Sequence, residues 1–197
     1  MSKDLSSDDG LDLLSTHQLL ERIGAGIPEA ADVVRSRHLA RLQRWARGRL
    51  PANARDLMDT EELVQHTLTR ALDDIEQFRS VREGTFQAHL RAGILSAIRD
   101  ELRRGPAPRL ADDTSSPKPS ALEEIIGPER LERYEKAFSR LEPADQEVLF
   151  GRVELGLTYE DIARDTGRSS ADAARTAVKL ALSRLAREMA ESVDGRT

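Results

Sequence analysis

Apolar residues recur at three- and four-residue steps along most of the chain, and no stretch alternates in the way a strand requires. The spacing predicts a succession of amphipathic helices. The first is short, with Leu19, Leu20 and Ile23 inward, Thr16 as its candidate cap, and Gly24-Ala25-Gly26 ending it. That glycine pair is not a nucleotide loop, because no strand precedes it and no third glycine follows. Pro28 suits the first turn of a second helix, which buries Val33, Val34, Leu42, Trp45 and Ala46 and stops near Arg49, before Pro51. A third helix opens on Asp59 and Glu62 as a candidate capping box. It turns Leu63, Val64, Thr67, Leu68, Ala71, Leu72 and Ile75 inward and leaves Glu61, Glu62, Gln65, His66 and Thr69 on the opposite face. A fourth, from about Thr85 to Arg104, carries Phe86, Leu90, Ile94, Ile98 and Leu102 at steps of four.

The period then breaks. Residues 105–120 hold four prolines with Gly, Ser and Asp and no apolar stripe, the composition of an extended linker. Beyond it Leu131, Tyr134, Phe138 and Leu141 form a new stripe, and Pro143 opens a helix expected to bury Val148, Leu149 and Val153. The expected fold is all-α: two small helical domains joined by a flexible linker, the C-terminal one containing a helix-turn-helix. The boundaries are a disordered acidic tail over 1–14, a first domain over 15–104, a Pro-rich linker over 105–127, a second domain over 128–192 and a tail over 193–197.

The helix-turn-helix is read between Leu157 and Met189. Thr158 is a good N-cap, Ile162 and Ala163 face inward, and Gly167 permits the left-handed turn between two helices. Ser169 or Ser170 caps the next helix, whose inward stripe is Ala174, Ala177, Val178, Ala181, Leu182 and Leu185. Its outward face offers Asp172, Arg175, Thr176 and Lys179 near the end that enters a major groove in this motif. Arginine and lysine there can read guanine edges or hold phosphates. An acid at position 172 can accept from a cytosine amino group or stabilise the helix N-terminus through the macrodipole.

Charge sharpens this reading. The 197-residue chain has a net charge of -5, unexpected for a protein that binds DNA alone, but the charge is unevenly placed. From 59 to 77 acids predominate over the single base Arg70; from 79 to 104, and again from 168 to 187, arginine and lysine predominate. An acidic helix followed by two basic ones points to a protein partner and then a nucleic acid. No stretch has the apolar length of a membrane span, and the N-terminus lacks the order of a secretory signal. Cysteine is absent, which excludes disulfides and thiolate metal sites and suits a reducing, cytoplasmic setting. Four isolated histidines (His17, His38, His66 and His89) form no metal-ligand motif, so no enzyme, metal or cofactor is expected.

Taken together, these segments resemble bacterial RNA polymerase sigma factors, specifically the small two-domain ECF (extracytoplasmic function) type. DTEELVQHTLTRAL (59–72) is similar to the family's polymerase-binding helix, GTFQAHLRAGILSAIRDELRR (84–104) to its promoter-melting segment, and LEPADQEVLFGRVELGLTYEDIARDTGRSS (141–170) to its region 4. The resemblance implies that the protein binds core RNA polymerase at its clamp and flap regions and directs promoter-specific initiation without catalysis of its own. On the docking helix it implies roles for Glu62 and Gln65, with His66 replacing the usual acid and with Glu61 and Thr69 sharing the face. For the downstream promoter element it implies Arg82, Thr85, Gln87, His89, Arg91, Arg99, Arg103 and Arg104; His89 stands where the family often carries tryptophan. For the upstream element it implies Arg168, Ser169, Ser170, Asp172, Arg175, Thr176 and Lys179. An anti-sigma partner is a further implication of the family. The alternative is a stand-alone helix-turn-helix regulator, whose N-terminal half would have no need of an acidic helix beside a basic one.

Overall fold

The computed structural model describes residues 8–50, 59–75, 85–104 and 120–194. These residues are helical and contain no strand. A 3-10 turn (Asp8–Leu13) precedes α1 (Thr16–Gly24), α2 (Glu29–Arg49), α3 (Thr60–Asp73) and α4 (Thr85–Arg104). Then come α5 (Ala121–Ile126), α6 (Pro128–Arg140), α7 (Pro143–Leu149), a π-helical turn (Phe150–Glu154), α8 (Tyr159–Asp165) and α9 (Ala171–Asp194). Within the segment expected as an acidic tail, Asp8–Leu13 forms a 3-10 turn, and Arg37 donates to the carbonyls of Asp12 and Leu14. Most of the expected linker, 105–119, lies outside the described residues; its last part forms α5, held by a Ser120–Glu123 capping box.

Local signals place most helix starts, with two corrections. The cap of α1 is Ser15, whose Oγ accepts from Gln18 N while the Gln18 side chain accepts from Ser15 N. Thr16 sits inside the helix, its hydroxyl 3.2 Å from His38 Nε2. At α3 the Asp59 carboxylate accepts from the backbone N–H groups of Glu61 and Glu62, a simple N-cap without the reciprocal bond of a capping box. Thr158 caps α8 as expected, and Ser170 rather than Ser169 accepts from Ala173 N at the start of α9. Gly167 has φ +67°, a conformation that side chains resist, and it lets the chain reverse between α8 and α9.

The N-terminal half packs α2, α3 and α4 around Val34, Leu42, Val64, Leu68, Leu90 and Ile94, all nearly inaccessible. Each such side chain contributes roughly 1.5–3 kcal/mol through burial. Gly93 permits the close approach of α3 and α4: a methyl group there would stand 3.2 Å from Thr67 Cγ2. The C-terminal half packs α6, α7 and α8 on α9 through Phe138, Val148, Leu149, Ile162, Ala174 and Val178. Three residues expected in the core, Leu102, Val153 and Leu182, are exposed instead. For Val153 the cause is the π-helical turn, whose Leu155 N–H reaches back to Phe150 O and takes the segment off the 3.6-residue period.

The two halves also meet. Helix α4 lies against α7, α2 against α5, and α1 against α8, so the described residues form a continuous body with a seam between its halves. Trp45 on α2 meets Phe150 of the π-helical turn in a T-shaped contact, ring centroids 5.1 Å apart, across that seam.

Candidate nucleic-acid interface

Three groups of residues were expected to bind partners, and the structure places them differently. On α3, Glu61, Glu62, Gln65 and His66 are exposed together on one face, with Thr69 half-buried beside them. Their inward neighbours Val64 and Leu68 anchor the helix, so the polar face is fixed in direction. Glu61 pairs with Arg47 of α2 at 2.8 Å, both side chains well exposed. Glu62 and His66 line a cleft of about 700 Å³ between α3 and α4, shared with His89, Asp100 and Glu101.

On α4 the expected DNA face is divided. His89, Arg99 and Arg103 are exposed; Arg99 Nε donates to Leu95 O, and Arg103 lies 3.7 Å from Asp100. Gln87 and Arg91, by contrast, are buried. Phe86 is buried too, in agreement with its place on the apolar stripe. Arg82, and the side chains of Thr85 and Arg104, lie outside the described residues.

Arg91, expected to meet DNA phosphates, is buried here, and two carboxylates of the C-terminal half take up its charge. Its Nε donates to Glu154 at 2.9 and 3.1 Å, and its Nη2 donates to both oxygens of Glu135 at 2.8 Å. The guanidinium also lies 4.1 Å over the ring of Phe138. Burial alone would lower its pKa, but Glu154 and Glu135 outweigh that and push it up.

Glu154 is the centre of this arrangement, and sequence reasoning did not single it out. Besides Arg91 its carboxylate accepts from Trp45 Nε1 at 2.7 Å, Arg49 Nη2 at 2.6 Å and the Tyr134 hydroxyl at 2.6 Å. Its side chain is 4% exposed. Arg49 stacks over Trp45 at 4.3 Å, and burial lowers its pKa despite Glu154. The Tyr134 phenol is pushed up by burial and then by the neighbouring Glu154 charge, so it remains a donor. Two arginines and two carboxylates thus balance in formal charge. Further along α2, Arg37 pairs with Asp165 and Arg41 with Asp161 across the same seam.

The α9 face stands clear of this seam. Asp172, Arg175, Thr176 and Lys179 are exposed, as are Ser169 and Ser170, while Arg168 is half-buried. Arg175 pairs with Asp172 at 3.2 Å and lies 5.0 Å over the ring of Tyr159, which also carries Arg152 at 4.5 Å. Thr176 donates its hydroxyl to Asp172 O at 2.9 Å. Tyr159 was not foreseen as a support for Arg175; a lone aromatic at the start of a short helix gives no such signal.

No cluster of metal-ligating side chains occurs among the described residues, and none of their helices is long and apolar enough to cross a membrane. No curated protein matches the chain. Residues 34–105, from within α2 through α4, match the family model of Sigma-70 region 2, a match that supports a sigma factor.

Proposed function

We propose that this protein is a sigma factor of the two-domain ECF type, which binds core RNA polymerase in the cytoplasm, directs it to a promoter and helps open the duplex. The observation that carries the reading is the Sigma-70 region 2 match, which spans both the exposed polar face of α3 and the arginine-bearing α4. In this reading residues 15–104 act as region 2: α3 docks on the polymerase clamp through Glu61, Glu62, Gln65, His66 and Thr69, and α4 engages the downstream element. Residues 128–192 act as region 4, with α8 and α9 as a helix-turn-helix whose Arg175 and Lys179 hold upstream promoter DNA while the domain approaches the polymerase flap. The polymerase performs the chemistry; the sigma factor supplies position. An anti-sigma partner would act on the same exposed faces.

The test is run-off transcription with purified core polymerase and a pool of promoter fragments. The expected result is co-elution with core and discrete transcripts that depend on the protein. Absence of both would overturn the reading. The exposed basic face of α9 also suits a stand-alone regulator, for which DNA binding without any association with core would be the outcome.

A further inference from the structure

A cavity of about 280 Å³ lies between α2, α5 and the end of the π-helical turn. Its wall on α2 is one face of that helix, since Arg41, Arg44, Trp45, Gly48 and Arg49 recur at helical spacing. Leu122 and Ile125 of α5 and Leu155 beyond the π-helical turn supply an apolar wall opposite. We propose that this cavity binds a small organic anion: a phosphate or carboxylate head held by the arginines of α2, on a single ring or short apolar body packed against Leu122 and Ile125. The inference goes beyond the sigma reading and does not depend on it.

The cationic wall is short of acceptors. Glu154 also borders the cavity, but its carboxylate already accepts from Trp45, Arg49, Arg91 and Tyr134. Arg41 has one long contact, 3.4 Å to Asp161, and its Nη1 is buried without a hydrogen-bond partner, as is Arg49 Nε. Arg44 is exposed and has no ion pair or hydrogen bond of its side chain among the described residues. Arg41 and Arg44 stand one turn apart, so their guanidinium forks start from neighbouring positions on the helix surface. Such forks match the paired oxygens of a phosphate or carboxylate. Donors left without acceptors cost free energy that an arriving anion recovers.

The fold does not itself require the open space. Gly48 lies in the last turn of α2, where glycine is less favourable than alanine. Its φ is not among the positive ones, and a Cβ there would meet nothing within 4 Å. Neither backbone conformation nor crowding calls for a glycine, and its missing side chain leaves that part of the cavity free. On the facing side Ile125 is 80% exposed, an apolar surface that a ligand body would remove from water. Size then limits the ligand. Pockets for drug-sized molecules hold roughly 300–1,000 Å³, so this one suits a single ring or short chain rather than a dinucleotide or a nucleic-acid strand.

Trp45 is the only tryptophan in the chain and borders the cavity, so its fluorescence reports occupancy without a label. Phenyl phosphate and phenylacetate, titrated separately into the full chain, are expected to change that emission saturably, and the tighter of the two identifies the head group. Inorganic phosphate, which lacks the ring, and benzyl alcohol, which lacks the charge, should each bind at least roughly tenfold more weakly. Arg44→Ala should weaken the ring-bearing anion roughly tenfold, the loss of one charge-assisted hydrogen bond. Gly48→Leu should abolish the response by filling the cavity, with an unfolding midpoint no lower than before; Gly48→Ala, a smaller change in the same direction, serves if the leucine variant fails to fold. Ile125→Ser should weaken the ring-bearing anions and leave inorganic phosphate as it was. No saturable response to either ring-bearing anion would overturn the proposal, and so would a response that survives both Arg44→Ala and the Gly48 variants. Equal affinity for inorganic phosphate would remove the organic body from it. Binding of single-stranded DNA through Arg44, without any response to the small anions, would assign the face to nucleic acid instead. None of these results touches the sigma reading, which stands or falls on transcription by the unmodified protein.

Discussion

Arg37 of α2 and Asp165 of α8 meet 128 residues apart in sequence, Nη1 to Oδ1 3.3 Å, with their side chains 8% and 1% exposed. Burial pushes the Asp165 carboxyl above its ordinary range even though Arg37 and Arg164 pull it down, and burial likewise lowers the Arg37 guanidinium. Desolvation outweighs attraction on both sides. Such a pair adds little when whole and costs much when halved.

Arg37→Leu should therefore lower unfolding stability by roughly 3 kcal/mol at pH 7, measured in urea, by leaving Asp165 buried with only its longer 3.6 Å contact to Arg164. The deficit should shrink on acidification. A carboxyl whose folded pKa is raised above its ordinary 3.8 favours the folded state at low pH and loses that contribution as pH rises through the folded value. An equal deficit at pH 5 and pH 7.5 would contradict the assignment.

His38 supplies a second pH dependence of opposite sign. Burial, and then the nearby Arg37, push its pKa down to about 3 from 6.5, so it stays neutral beside Thr16. With the folded pKa depressed, its contribution is present above 6.5 and is lost as pH falls toward 3, by up to about 1.4 kcal/mol per pH unit. His38→Gln should flatten the stability profile over that window. The difference between the two profiles isolates this group from the carboxylates common to both.

For the docking face, Glu62→Ala combined with Gln65→Ala should weaken association with core polymerase roughly tenfold or more, about 1.4 kcal/mol. Both side chains are exposed, so helix content and unfolding midpoint should stay as they are. Binding of undiminished strength, measured by competition for core, would move the contact off this face of α3.

On α9, Arg175→Ala with Lys179→Ala should weaken holoenzyme binding to promoter DNA and reduce the salt slope by about one for each phosphate that is no longer neutralised. Tyr159 stacks against Arg175 and supports it, so Tyr159→Leu should weaken binding in the same direction but less. Transcription equal to that of the unmodified protein would place the upstream contact elsewhere.

The elements were legible in the sequence where a local rule acts alone. Pro28, Pro143, Thr158 and Gly167 mark helix ends through their own backbone or side-chain chemistry, and the stripes of α3 and α4 follow from helical period. The seam was not legible. Arg49, Arg91, Glu135 and Glu154 sit on four different elements, and each in isolation resembles a solvated surface charge. Only the folded chain shows that Trp45 and Glu154, 109 residues apart, share a hydrogen bond. For the same reason Arg91 is indistinguishable in sequence from Arg99 and Arg103: all lie on one basic helix, and nothing local marks the side that the other half covers. Ser15 and Thr16 stand together as two hydroxyl residues, either of which could cap; the reciprocal bond of Gln18 selects Ser15.

The π-helical turn sets the angular phase of everything that follows Phe150. Removal of one residue between Phe150 and Val153 would return the segment to α-helical winding and leave Glu154 close to its present direction, because a π turn absorbs one residue more than an α turn of the same rise. Insertion of one residue at the same place has no such slack and, wound helically, would turn Glu154 and the core residues Leu157 and Ile162 by roughly 100°. A single-codon deletion in this turn should therefore be tolerated and a single-codon insertion should not, a difference read in the unfolding midpoint.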